Sequence, residues 1–254
     1  MIRMSLKLDS LILNEPVELD IALPQPLSFT KNTYKVLWCL HCAFSNGNMF
    51  FERLNLLDLI DEGYVLICPS LSNSYFINSN NRNVADFLDK ELYPYLQELL
   101  PISRSRECNE CLGISMGAYG ALNWAMRKPL YFSRVVLLSG YYDYRLPEDP
   151  RIRKHRDERI IAQIAYPYMK LAFDDKSEIL KKEADIQKFL SKVDPFDMPK
   201  IDLFCGDDDF ISLKQSEYFY DLMKKQNLNV SYFKLPGGHN IKTWRAAIEQ
   251  AYTK

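Results

Sequence analysis

The sequence predicts an α/β protein in which a mostly parallel sheet is covered by helices on both faces. Short apolar runs such as YKVLWCLH and SRVVLLSG are typical of strands buried on both sides. They alternate along the chain with longer segments of helical spacing, as in folds whose parallel strands are joined by helical crossovers. The start differs, because the first forty residues predict two antiparallel strands leading into a core strand, and SLILNEPVELDIALP alternates apolar and polar residues as a half-buried strand does.

The remaining elements follow in chain order. NMFFERLNLLDLIDEG predicts one helix ending at Gly63, and NVADFLDKELYPYLQELL predicts a helix that Pro94 bends or divides. Strands are predicted for YVLICPS, ECLGIS, SRVVLLSG, PKIDLFCGD and NVSYFKLPG, and helices for MGAYGALNWAMRKP, SLKQSEYFYDLMKKQN and IKTWRAAIEQAYT. Residues 141–199 are helical, charged and rich in tyrosine, without a clear core strand. We therefore predict a single domain, 1–254, with a small helical cap inserted at about 141–199.

Composition excludes several classes of protein. The 254 residues are 47% hydrophobic and 26% charged, which suits one folded domain with a sizeable core. A net charge of −1 without a Lys/Arg-rich block gives no reason to expect a nucleic-acid partner. The first residues lack the unbroken apolar core of a signal peptide, and no run is long enough to span a membrane. We expect a cytoplasmic protein with six reduced cysteines and no membrane partner.

Two C-x-x-C pairs raise the possibility of a zinc site. Cys39 and Cys42 form the first pair, and Cys108 and Cys111 form the second. The first pair lies in a predicted strand, where residues three apart point to opposite faces and do not close easily on one metal. We expect buried, inert thiols and neither a metal nor an organic cofactor.

The segment LGISMGAYGA contains Gly113-x-Ser115-x-Gly117 between a predicted strand and a predicted helix. In this context the pattern predicts a nucleophile elbow, a sharp turn that exposes the serine hydroxyl. The helix that follows offers free N–H groups and the positive end of its dipole, which suit an oxyanion. The alternative is a serine N-cap beside glycines that only allow close packing.

A serine nucleophile requires a base, and the chain has three histidines. His155 lies in a mixed-charge run and His41 ends a core strand, whereas His239 lies between the last strand and the last helix. In nucleophile-elbow enzymes the acid and then the histidine follow the serine, on loops at the carboxyl edge of the sheet. His239 fits that order. Its alternative is a structural residue in a glycine turn.

The acid is expected after a strand and before His239. Asp207, Asp208 and Asp209 all follow the strand PKIDLFCG, and Asp143 is a more distant candidate. Such a carboxylate would hold the histidine tautomer and stabilise the imidazolium. Three adjacent acids are also common in a plain turn, so this pattern alone leaves the choice open.

Five segments together resemble the putative-esterase family of the α/β-hydrolases, which includes tributyrin and acetyl esterases, esterase D, feruloyl esterases and mycolyltransferases. They are, in order, VLWCLHCAFSNGNMFFE, YVLICPSLSNSYFIN, LGISMGAYGAL, DLFCGDDDFI and LPGGHNIKTW. The resemblance is greatest to the tributyrin-esterase group and covers nearly the whole chain. It implies the α/β-hydrolase fold, assigns the acid to Asp209 and the base to His239, and makes a homo-oligomer one expectation.

The resemblance also implies an oxyanion hole made by backbone N–H groups. One donor is the N–H of Met116, and the other is the N–H of Ala43 in the loop after the LHC strand. Family members usually have His-Gly where this chain has His41-Cys42. Because glycine leaves room where backbone approaches substrate, Cys42 is expected to distort or narrow the hole.

The predicted function is that of a serine carboxylesterase acting on short-acyl, small-molecule esters through Ser115, Asp209 and His239. One alternative keeps the triad but uses a thioester or an alcohol acceptor, as an S-formylglutathione hydrolase or an acyltransferase would. A second alternative is a non-catalytic binding member of the fold, against which the intact set of three residues argues.

Overall fold

A computed structural model describes residues 1–25, 34–79, 82–143 and 185–252. Strands in these ranges are β1 (Ile2–Ser10), β2 (Glu15–Leu23), β3 (Lys35–Leu40), β4 (Tyr64–Ser70), β5 (Asn78–Ser79), β6 (Arg82–Asn83), β7 (Asn109–Ile114), β8 (Arg134–Leu138), β9 (Lys200–Gly206) and β10 (Val230–Leu235). Eight of them form one sheet in the order β1-β2-β4-β3-β7-β8-β9-β10. Strands β5 and β6 pair separately as a short antiparallel ribbon that the sequence did not predict.

The main sheet is parallel from β4 to β10. The pairs β3–β4, β3–β7, β7–β8, β8–β9 and β9–β10 all run in the same direction. The N-terminal hairpin β1–β2 is antiparallel and joins the sheet through an antiparallel β2–β4 pair. The predicted mostly parallel sheet with two antiparallel strands before the first core strand is therefore confirmed. Loops that follow β3, β7, β8, β9 and β10 meet at one edge.

Helices in the described ranges cover both faces of this sheet. They are α1 (Met49–Glu52), α2 (Val84–Phe87), α3 (Tyr93–Leu99), α4 (Met116–Arg127), α5 (Ile186–Leu190), α6 (Leu213–Lys225) and α7 (Ile241–Tyr252), with 3-10 turns at Leu56–Ile60 and Arg106–Cys108. Alternate residues of β3 enter two separate cores. Trp38 packs against Trp124 of α4, whereas Leu37 belongs to the core that also contains Trp244 of α7. Burial on both faces explains why the strand is a continuous apolar run.

Two predicted helices differ from the structure. The segment ending at Gly63 is not one helix, because α1 stops after one turn and Asn55 is left-handed with φ 56°. Asparagine tolerates that conformation better than most residues, so the break is locally encoded. The helix around Pro94 is continuous from α2 to α3 through a π turn at Leu88–Leu92. Proline cannot donate to the carbonyl four residues earlier, and the wider turn absorbs that loss.

Most of the predicted cap lies outside the described residues. Within 141–199 the structure describes residues 141–143 and 185–199, the latter including α5. His155 also lies outside the described ranges. The single domain with a cap inserted at about 141–199 stays a prediction. In the parts of the chain that are described, no helix has the length and apolar character needed to span a bilayer.

Candidate active site

Ser115 lies at the sharp turn between β7 and α4. Its backbone has φ 55° and ψ −112°, a conformation that a residue with a side chain rarely adopts. Such a conformation costs on the order of 1–3 kcal/mol and persists where the surrounding structure enforces it. The Ser115 N–H donates to the carbonyl of Leu138 at 2.8 Å, and its own carbonyl accepts from Ala118 N–H at 3.0 Å. These contacts hold the hydroxyl at the carboxyl edge of the sheet.

The two glycines of the motif allow α4 to lie directly against the sheet. A Cβ on Gly117 would be 1.9 Å from the carbonyl oxygen of Leu40 and 2.7 Å from that of His41. A Cβ on Gly113 would be 2.1 Å from the carbonyl oxygen of Gly117. Neither position has room for a methyl group. The close approach also places the chain after β3 directly against the first turn of α4.

His239 is placed within hydrogen-bond distance of Ser115. It lies in the loop between β10 and α7, and its Nε2 is 3.0 Å from the Ser115 Oγ. The imidazole packs edge-on against Trp244, with ring centroids 5.2 Å apart and an interplanar angle of 86°. Only 6% of the His239 side chain is exposed, so its orientation is set by protein contacts.

Asp209 lies on the other side of the imidazole. Its Oδ2 and Oδ1 are 3.0 Å and 3.1 Å from His239 Nδ1, and the carboxylate is fully buried. Because a carboxylate accepts, Nδ1 carries the proton and Nε2 is left to accept the serine hydroxyl. Burial alone would raise the pKa of Asp209, but the charge of His239 and hydrogen bonds from His239, Ser212 and Ser139 hold it below the ordinary value. Asp209 is therefore ionised and can stabilise a positive charge on the imidazole.

The other acidic candidates are placed elsewhere. Asp207 and Asp208 are exposed, and Asp207 Oδ1 accepts the Gly237 N–H at 2.9 Å, which is a turn contact. Asp143 is buried, but its Oδ2 accepts from Gln187 Nε2 at 2.7 Å. Of the four acids singled out from the sequence, the one in contact with His239 is Asp209.

Three residues that support the acid were not identified from the sequence. Ser212 N–H donates to Asp209 Oδ1 at 3.0 Å, and the Ser139 hydroxyl also bonds to this carboxylate. Ser139 in turn accepts from Trp244 Nε1–H at 3.0 Å. The position of Ser139 directly after β8, at the same sheet edge, was an available signal. Its hydrogen bonds join loops that lie far apart in the chain.

His41 is a structural residue in the described fold. It is fully buried, its Nε2 accepts the Leu71 N–H at 3.0 Å, and its Nδ1 lies 2.8 Å from the Cys42 carbonyl oxygen. Since Nε2 accepts, Nδ1 carries the proton and donates to that carbonyl. Burial lowers the pKa of His41 to about 4, so the ring is neutral near pH 7. Both ring nitrogens of His41 therefore form hydrogen bonds with backbone groups.

Met116 begins the helix that packs against the end of β3, and Ala43 lies in the loop that follows β3. Met116 begins α4, so its N–H is among those that a helix leaves without an internal acceptor. Ala43 is partly buried and packs on the same face of the sheet as α4. Cys42 packs on the opposite face, with its Sγ 3.7 Å from Met49 Sδ. The Cys42 thiol, at the position where the resembled family usually has glycine, is thus directed toward α1. Burial raises the pKa of this thiol to about 11.

The cysteines form no cluster that could bind a metal. All six are free thiols in the described structure. Across the described ranges, no group of three or more His, Cys, Asp or Glu side chains is arranged to hold a metal ion.

Comparison with known proteins identifies the family. The family model described as "Putative esterase" matches residues 10–254. An acetyl esterase of Caldicellulosiruptor saccharolyticus is 25% identical over 224 residues, which cover 86% of this chain and 82% of that protein. The residues matched by the family model include the strands and loops that carry all the residues described above.

Solved structures agree on the fold. The fluorophosphonate-binding serine hydrolase F of Staphylococcus aureus superposes with a TM-score of 0.81 at 23% identity, covering 98% of this chain and 96% of that one. An S-formylglutathione hydrolase of the same organism superposes with a TM-score of 0.78 at 22% identity, over 98% and 96% of the two chains. The chain belongs to the family described as "Putative esterase", has the α/β-hydrolase fold and is a carboxylic ester hydrolase.

Proposed function

We propose that this protein is a serine esterase that hydrolyses short-acyl esters, with Ser115 as nucleophile, His239 as base and Asp209 as the orienting acid. The observation that carries the proposal is the continuous contact from Ser115 Oγ to His239 Nε2 and from His239 Nδ1 to the Asp209 carboxylate. Similarity to an acetyl esterase supports a small acyl group.

Acylation begins when the Ser115 oxygen attacks the ester carbonyl and His239 Nε2 takes the hydroxyl proton. The imidazolium that forms is stabilised by ionised Asp209, which keeps the proton on Nδ1 without taking it up. The buried carboxylate already accepts several hydrogen bonds and needs little rearrangement as charge develops. The positive-φ backbone of Ser115 keeps its hydroxyl available at the turn.

The tetrahedral intermediate carries a negative oxygen, for which the N–H groups of Met116 and Ala43 are the proposed donors. Each well-placed donor contributes about 3–4 kcal/mol of transition-state stabilisation. The position of Met116 at the start of α4 adds the positive end of the helix dipole. The packing of Cys42 toward Met49 supports the assignment of Ala43, since the thiol is directed away from α4.

The alcohol leaves when the carbon–oxygen bond of the ester breaks and His239 returns its proton to the departing oxygen. Water then attacks the acyl-enzyme, and His239 accepts one water proton and gives it back to the Ser115 oxygen. The net reaction is ester plus water to carboxylic acid plus alcohol. Every proton transfer uses the same imidazole.

The cellular location and domain organisation are further parts of the proposal. Six free cysteines support a reducing compartment, and we propose the cytoplasm. We also propose one domain whose insertion at about 141–199 helps to shape the substrate pocket. Tyr142, at the start of that region, is buried against Phe219 and has a packing role.

The test is hydrolysis of p-nitrophenyl esters from acetate upward by the wild type and by Ser115→Ala. We expect the highest kcat/KM for the shortest acyl chains and loss of all turnover in Ser115→Ala. Equal, slow hydrolysis by both proteins would contradict the proposal. A matched thioester and an alcohol acceptor, offered in parallel, distinguish an esterase from a thioesterase or an acyltransferase.

A further inference from the structure

The loop that carries Ala43 is held in place by the last residue of β4 and the chain that follows it. We define the oxyanion loop as residues 41–44 and the clamp segment as residues 70–73. The oxyanion loop receives the Leu71 N–H at His41 Nε2, 3.0 Å away, and donates the Phe44 N–H to Asn73 Oδ1 at 2.7 Å. Just beyond it, the Gly47 N–H donates to Ser70 Oγ at 2.9 Å. Two hydrogen bonds therefore join the two segments, and a third lies just beyond the oxyanion loop.

These contacts fix the two peptide units on either side of Ala43. The unit between Cys42 and Ala43 is held by its carbonyl, which accepts from His41 Nδ1 at 2.8 Å. The unit between Ala43 and Phe44 is held by its N–H, which Asn73 accepts. A peptide unit is planar and trans, so a fixed carbonyl also fixes the N–H on its opposite side. The direction of the Ala43 N–H is thus set by hydrogen bonds before and after it.

The oxyanion loop needs such support because its sequence contains no glycine. Phe44 has φ 59° and Ser72 in the clamp segment has φ 51°, both in the left-handed region that favours glycine. Side chains other than glycine stay there only where the surroundings enforce it. The short bond from Phe44 N–H to Asn73 acts on one of these two strained residues directly. A glycine at position 42, as the resembled family has, would not supply this contact.

We propose that Asn73 is a positioning residue that sets the oxyanion hole by holding the Ala43–Phe44 peptide unit. The inference rests on the proposed function, since it assigns Asn73 an effect through the Ala43 N–H. Asn73 is not proposed to touch the substrate. Its loss should weaken stabilisation of the tetrahedral intermediate and leave ground-state binding of the ester unchanged.

The test compares kcat and KM of Asn73→Ala and Asn73→Asp on a p-nitrophenyl ester. Asn73→Ala removes the acceptor, so we expect kcat to fall roughly 10- to 100-fold at unchanged KM, less than the loss on deleting a donor outright. Asn73→Asp keeps an oxygen in the same place and should recover most of kcat. A trifluoromethyl ketone, which forms a tetrahedral adduct, should bind Asn73→Ala more weakly by a similar factor.

A matched control is Asn78→Ala on the same stretch of chain. Asn78 Oδ1 also accepts a backbone N–H, that of Asp86 at 3.0 Å, but it lies outside both defined segments. Asn78→Ala should lose stability with kcat unchanged. Should Asn73→Ala not fold, Asn73→Ser replaces it, because a hydroxyl there is too short to reach Phe44 and the same kcat loss is expected.

Three outcomes would overturn the inference, and the last is distinguishable from the other two. If Ser115→Ala is inactive but folded Asn73→Ala or Asn73→Ser matches Asn78→Ala in kcat, Asn73 has only a structural role and the proposed function stands. A change in KM alone would lead to the same conclusion. If Ser115→Ala hydrolyses the ester like the wild type, the proposed function and the inference fail together.

Discussion

Ser115 Oγ and His239 Nε2 lie 3.0 Å apart although 124 positions separate them in the chain. The parallel sheet explains this contact. Strands β7 and β10 both end at the same edge, so the turn after the first and the loop after the second face each other. Asp209 follows β9, which lies beside β10. The three side chains therefore come from three strand ends of one rigid sheet.

The assignment of the acid is tested by replacing Asp207, Asp208 and Asp209 one at a time. Asp209→Asn should lower kcat about 10⁴-fold, because an amide no longer holds the catalytic tautomer of His239. Asp207→Asn and Asp208→Asn should stay within about twofold of the wild type, since both side chains are exposed. Steady-state kinetics on p-nitrophenyl acetate measures the three variants. Equal losses at all three positions would rule out Asp209 as the specific acid.

Close packing of α4 on β3 is tested by Gly117→Ala. Its Cβ would meet the Leu40 carbonyl oxygen at 1.9 Å, so we expect a loss of roughly 3 kcal/mol in the free energy of unfolding. Gly63→Ala is the matched comparison, because it has φ 82° but no atom within 4 Å of an added Cβ. That variant should lose about 1 kcal/mol from backbone strain alone. Denaturant unfolding measures the free energy of unfolding of both variants. Equal losses of this free energy would contradict the steric account.

Buried His41 should make stability depend on pH. Its pKa is lowered from 6.5 to about 4 in the folded chain, so between these values the unfolded state binds more protons. The contribution of His41 to the free energy of unfolding is fully present above pH 6.5. It is lost as the pH drops toward 4, and the loss amounts to about 3 kcal/mol. His41→Gln should have a shallower decline when unfolding is measured from pH 7 to pH 4. Parallel curves for the two proteins would show that His41 does not contribute this dependence.

The fold and two members of the candidate triad could be predicted from local patterns. Apolar runs alternating with helical spacing predicted the sheet, and Ser115 and His239 follow strand ends in the expected order. The choice of Asp209 among the neighbouring acids came from the family resemblance. The long predicted helix ending at Gly63 failed because a single left-handed residue, Asn55, divides it. Periodicity of apolar residues does not reveal such a conformation, since the pattern continues on both sides of the break.

Support around the site could not be predicted, because it consists of contacts between distant loops. Asn73 accepts the N–H of Phe44 from 29 positions away, and Trp244 donates to Ser139 from 105 positions away. Both side chains lie in segments that carry the family resemblance, YVLICPSLSNSYFIN and LPGGHNIKTW, but the sequence of those segments does not reveal these contacts. The effect of Cys42 on the oxyanion loop could not be predicted either. It depends on the direction of the thiol, which contacts Met49.

The most direct test of the central claim is the site of covalent labelling by a fluorophosphonate, measured by intact-protein and peptide mass spectrometry. The account predicts one adduct per folded chain, located on Ser115, with ester hydrolysis lost in proportion to labelling. Ser115→Ala and unfolded wild-type protein should remain unlabelled. An adduct on another residue, or an unlabelled wild type that still hydrolyses esters, would contradict the claim that Ser115 is the nucleophile.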